Sequence, residues 1–279
     1  YNKLNKLDSE KLYKRARSLE NSGFQDEAQQ VYEQIFLDFP SSERYYGALK
    51  KILIKNEDCI SLMNNVNIFC EANNNSDYSK IKKLEILLIC NADWEDLFNS
   101  LIKRNQSNLR ISKKIISLLI NNKQENIALK TIDEIRNLTQ NQVFFANELA
   151  YYYLSSKKYP ESLKEFLSYI KKNPKHLRIV KSQVMNFPDE VALNKKIVDI
   201  LKKSEIIESK IILADFYFKK ENFKGAVEIL KKHDLLEDLL SLSINLNKLG
   251  EFKLANELLI YLIEKEDSKV SKKAIFELT

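Results

Sequence analysis

A chain of 279 residues that is 44% hydrophobic carries enough apolar surface for a sizeable core, which excludes global disorder. Only four Gly and four Pro occur, too few for the turns of sheets and elaborate loops, so long helices joined by short turns are expected. The net charge of +6 is concentrated between Tyr151 and His233, either a face for an acidic partner or a run of solvated lysines.

The chain opens on Tyr1 rather than Met, which reads as a trimmed or processed product and leaves export open. A first helix is predicted over "SEKLYKRARSLE", ended by Gly23 in a left-handed backbone. Ala28, Tyr32 and Ile35 then fall at helical spacing on one buried stripe. Pro40 closes that second helix, because proline disfavours helical geometry in the residue before it.

The same spacing returns along the chain. Leu62 is framed by Leu49, Leu53, Val66 and Phe69. Leu97 is framed by Leu84, Leu88, Trp94 and Leu101, and Ala128 by Ile115, Leu119, Ile132 and Ile135. Ser162 has Leu149, Ala150, Tyr153 and Tyr159 before it, then Phe166, Tyr169 and Pro174. Leu193 has Val180, Val184, Ile197 and Ile200. Ala226 has Leu213, Ala214, Tyr217, Phe223 and Leu230. Ala255 has Leu242, Leu246, Gly250, Phe252, Leu259 and Leu262. The eight anchors lie 29 to 35 residues apart. Thr139-x-x-Gln142 and Asp234-x-x-Glu237 read as capping boxes, Pro188 as a first-turn proline, and residues 71–80 as the most loop-like stretch, a hinge or a distortion. "SKVSKKAIFELT" reads as a terminal capping helix, and no linker-like segment interrupts the array.

This pattern resembles the tetratricopeptide repeat, a 34-residue helix–turn–helix unit, over residues 8–267. The resemblance is closest around Ser162, Ala226 and Ala255. The units at 62, 97, 128 and 193 lack the small residue of the family's first helix. It implies an all-α fold: a right-handed superhelical solenoid of about eight antiparallel hairpins, one domain over 1–279, with first helices lining a concave surface. Helical periodicity directs Tyr13, Arg17, Lys51, Lys55, Lys82, Lys113, Asn147, Tyr151, Arg178, Ser182, Asp215 and Lys219 onto that inner surface. The Lys/Asn clamp by which some members grip a C-terminal carboxylate has no counterpart, since the first unit offers Tyr13 and Arg17 instead.

No catalytic, cofactor or metal constellation is found. Two histidines, His176 and His233, stand apart, and four scattered glycines build no phosphate loop. Cys59 and Cys70 are three helical turns apart, about 16 Å by helix rise and too far for a disulfide. With no C-x-x-C pair, Cys59, Cys70 and Cys90 are expected as buried free thiols, which favours a reducing compartment. No apolar run reaches the ~20 residues of a membrane span. The expected function is a non-enzymatic scaffold for a protein or peptide partner, acidic in character, in the cell envelope or, as the alternative, the cytoplasm. Nucleic-acid binding by the basic array, or a helical arm of a larger protein with its activity elsewhere, are the competing readings.

Overall fold

A computed structural model describes residues 5–265 and 268–278. Among them are seventeen α-helices and no strand. The helices fall into two compact units, Tyr1–Asn141 and Gln142–Thr279. The first holds α1 (Lys6–Asn21), α2 (Gln25–Asp38), α3 (Glu43–Lys55), α4 (Cys59–Ala72), α5 (Asp77–Ile89), α6 (Glu95–Asn105), α7 (Leu109–Asn121) and α8 (Glu125–Thr139). The second holds α9 (Ala146–Ser155), α10 (Tyr159–Lys172), α11 (Leu177–Met185), α12 (Val191–Lys203), α13 (Ile207–Lys219), α14 (Phe223–Lys232), α15 (Leu236–Leu249), α16 (Phe252–Ile263) and α17 (Ser268–Leu278). Within each unit most consecutive helices pack on one another in a repeat-like arrangement. Among the described residues no helix is long and apolar enough to cross a membrane.

One turn recurs between paired helices. The N–H groups of Phe24, Asp58, Ala92, Gln124, Lys158, Asn222 and Glu251 each donate to the carbonyl five residues back, at 2.8–3.0 Å. The residue before each donor has positive φ: Gly23, Glu57, Asn91, Lys123, Lys157, Glu221 and Gly250. This is the Schellman ending, which satisfies orphan carbonyls of the finishing helix and reverses the chain. The exception is the turn between α11 and α12. Pro188 stands five residues before Leu193, where the register calls for positive φ, and the pyrrolidine ring holds φ near −65°. There α12 begins only at Val191, so Pro188 precedes the helix rather than opening its first turn. Both α11 and α12 pack on α10 and α13.

Most anchors sit in the cores as the spacing predicts: Ala28, Leu62, Ala128, Ser162, Leu193, Ala226 and Ala255 are buried. Leu97 is half-buried and Phe98 takes its place, because Asn91 lies six rather than five residues before Leu97 and the added residue rotates α6. Residues 71–80 are less loop-like than expected. Helices occupy both ends, leaving a four-residue turn with Asn74 and Asn75 at positive φ and Ser76 capping α5. Neither capping box forms. Thr139 ends α8 and donates its hydroxyl to the Ile135 carbonyl at 2.6 Å, and Asp234 takes positive φ while Leu235 precedes α15. The terminal segment does form a helix, α17, with Val270 and Ala274 buried; Thr279 lies outside the described residues.

The thiol expectation is corrected at two of three cysteines. Cys59 opens α4 and Cys90 follows the end of α5; these neighbours run antiparallel, so start meets finish and a disulfide joins them with 5.7 Å between Cα atoms. The pairing crosses between helices, whereas the Cys59–Cys70 spacing concerned one helix. Cys70 remains a buried free thiol, donating to the Ser79 carbonyl at 3.3 Å, and burial pushes its pKa up.

Candidate binding groove

Three stripes of side chains converge in the second unit. On α13, Ile211, Ala214, Asp215 and Phe218 follow the i, i+3, i+4, i+7 rule of one helix face. Asp238, Ser241, Leu242 and Asn245 do the same on α15, and Lys181 and Met185 stand one turn apart on α11. Together they line a cavity of about 470 Å³, within the range of ligand sites. Ala214 and Leu242 are buried and form its floor; Ser241 and Asn245 are exposed at its mouth. The helices α11, α13 and α15 are the first helices of three successive units in the register read from the sequence.

The charges in this cavity are unequally satisfied. Lys181 Nζ lies 2.6 Å from Asp215 Oδ2. Lys219 Nζ donates to the Met185 carbonyl at 2.5 Å, tying α13 to α11. Asp238 has no hydrogen bond or ion pair among the described residues. Its pKa is raised above the ordinary carboxylate value, first by burial and further by Asp215 and Glu237, against a lowering by Lys181. The cavity thus holds a half-buried carboxyl with unused acceptor capacity beside apolar walls.

The residues expected on the inner surface are distributed more widely. Asp215 and Lys219 line the cavity, while Arg178 and Ser182 lie exposed elsewhere on α11. Tyr151 is exposed and meets Phe166 edge-on at 5.2 Å, with Asn147 half-buried one turn before it. In the first unit Tyr13 packs between Tyr32 and Tyr45, each 5.6 Å away, with the Arg44 guanidinium 4.1 Å over its ring. Lys51 reaches Glu20 at 2.9 Å, and Lys82 reaches Glu43 at 3.4 Å. Arg17 and Lys55 are exposed, and Lys113 is half-buried on α7. Lys50 pairs with Glu85 at 2.9 Å; both occupy the register position where the family's small residue is wanted, so an ion pair fills that slot.

Sequence reasoning missed Lys181, Asp238, Ser241 and Asn245. The stripe Asp238–Ser241–Leu242–Asn245 was a readable signal, because Leu242 was already placed on α15 and its neighbours at helical spacing share its face. Elsewhere, buried Lys210 donates to the carbonyls of Leu201, Lys202 and Ser204 at 3.1, 2.8 and 2.6 Å, capping α12. Desolvation lowers its pKa. His176 stacks on Tyr169 and hydrogen-bonds its hydroxyl at 2.7 Å. Burial lowers the pKa of His233, with Lys210 and Lys232 adding to it. Among the described residues no group of three or more His, Cys, Asp or Glu is placed to hold a metal ion. Neither protein-family models nor curated proteins yield a match to this chain.

Proposed function

We propose that the chain is a tetratricopeptide-like scaffold, with right-handed stacking of hairpins within each unit and about eight hairpins in all. It has no catalytic activity of its own and binds an extended segment of a partner protein along its first helices. The observation that carries this reading is the cavity lined by α11, α13 and α15, which combines apolar walls with a few convergent polar groups. An extended segment needs such a surface, because its own backbone and side chains bring both kinds of group. The Cys59–Cys90 disulfide supports an oxidising compartment, in keeping with the cell envelope.

A photocrosslinking amino acid placed at Ser241, at the cavity mouth, and at Lys164, exposed on α10, tests the reading in the source cells. Discrete protein adducts from Ser241 and none from Lys164 are expected. Equal labelling at both sites, or none at Ser241, contradicts a groove-bound partner.

A further inference from the structure

We infer that the α11–α13–α15 cavity receives a basic side chain, arginine or lysine, from the partner segment, its cationic head seated on the Asp238 carboxylate. This rests on the groove reading and adds the chemistry of the occupant. Both ammonium groups in the cavity are directed elsewhere: Lys181 to Asp215 and Lys219 to the Met185 carbonyl. Asp238 is left as a carboxyl that packing has partly dried and that no donor among the described residues satisfies. A half-buried carboxylate without a partner is costly, and an incoming guanidinium or ammonium relieves that cost with a charge-assisted hydrogen bond. The surroundings suit such a side chain along its whole length. Phe218 and Met185 offer apolar and polarizable surface to the aliphatic stem, and Asn245 and Ser241 offer polar groups at the mouth. An acidic occupant would instead face both Asp215 and Asp238 with the lysines already engaged.

The groups facing Asp238 are Lys181 from α11, Asp215 and Lys219 from α13, and Glu237 on its own helix. Only the ionised carboxylate attracts the cation. Affinity therefore rises with pH as Asp238 ionises, a step that burial shifts upward from the ordinary aspartate value.

A random dodecapeptide library displayed on phage and selected on the full chain tests this. The retained peptides are then measured against Asp238→Asn and against Ser241→Lys, which sets a competing ammonium at the mouth. Circular dichroism checks that both variants keep their helices. The expected result is peptides sharing a basic residue at one position, with affinity falling at least about tenfold in Asp238→Asn. Ser241→Lys, an exposed change, is expected to weaken the same peptides. Peptides that crosslink at Ser241 but carry no fixed basic residue, or bind Asp238→Asn unchanged, overturn the inference and leave the groove reading standing. A selection that retains no peptide overturns both.

Discussion

The first helices of the two units use charge in opposite ways. In the first unit, Arg44–Glu10, Lys50–Glu85, Lys51–Glu20 and Lys82–Glu43 link α1, α3 and α5 to one another. Glu20 is held below the ordinary carboxylate pKa, first by its hydrogen bond with Lys51, and Glu43 is held below it first by Tyr78. In the second unit Lys181–Asp215 makes a similar link, but Asp238 stands next to it without a donor among the described residues, and its pKa is raised above the ordinary value. The four carboxylates Glu10, Glu20, Glu43 and Glu85 are paired within the first unit, whereas Asp238 in the second is half-buried with no donor among the described residues. Surface ion pairs contribute little to stability, so the contrast matters less for folding than for what each face leaves available.

The largest effect expected in the first unit comes from its packing. Phe69 is fully buried and stacks on Tyr46 at 4.4 Å. Phe69→Ala is expected to cost about 3–5 kcal/mol in urea denaturation, and a cost near zero would mean that this core is not packed as described. Next is the disulfide. Reduction is expected to cost about 3–4 kcal/mol by the loop-closure argument. Alkylation of the native, unreduced protein followed by mass spectrometry is expected to find Cys59 and Cys90 protected as a pair and Cys70 modified only after unfolding. Three alkylated thiols would remove the disulfide and with it the support for an oxidising compartment.

Smaller effects sharpen the account of the turns and of buried polar groups. Gly23 has positive φ and open space around it, so Gly23→Ala tests backbone strain alone and is expected to cost about 1 kcal/mol. Lys123→Gly, at the equivalent turn, is expected to stabilise by about 0.5–1 kcal/mol. The Tyr46 hydroxyl is buried without a partner among the described residues, so Tyr46→Phe is expected to gain about 1 kcal/mol.

Acid separates the two faces by sign. Glu20 and Glu43 have depressed folded pKa values, so their contribution is present above the unfolded carboxylate value and is lost as pH falls through the folded one. Asp238 has a raised folded pKa. Its protonation favours the folded state, and that contribution fades as pH rises through the folded value. At neutral pH, Glu20→Gln is expected to lower the urea midpoint slightly and Asp238→Asn to raise it slightly.

The buried stripes were legible because helical periodicity is local: Ala28, Tyr32 and Ile35 are visible within about two helical turns of sequence. The turns were half legible. Gly23 and Gly250 announce positive φ, but Glu57, Asn91, Lys123, Lys157 and Glu221 hold the same geometry through the hydrogen bonds of the Schellman ending rather than through residue type. Thr139 and Asp234 matched a four-residue cap signature that competing uses of the same residues had claimed. At the site, Asp215 and Lys219 followed from their place on one helix. Lys181, Asp238 and the Cys59–Cys90 bond depended on which helix lies beside which, and single-helix spacing carries no information about that.

The measurement that bears most directly on the contrast between the two faces is the affinity of one selected basic peptide for Asp238→Asn and for Lys51→Met, alongside the urea midpoint of each. The account predicts that Asp238→Asn loses the peptide while keeping or gaining stability, and that Lys51→Met keeps the peptide while losing a little stability. Loss of the peptide in Lys51→Met, with Asp238→Asn binding as wild type, would place the working face in the first unit and contradict it.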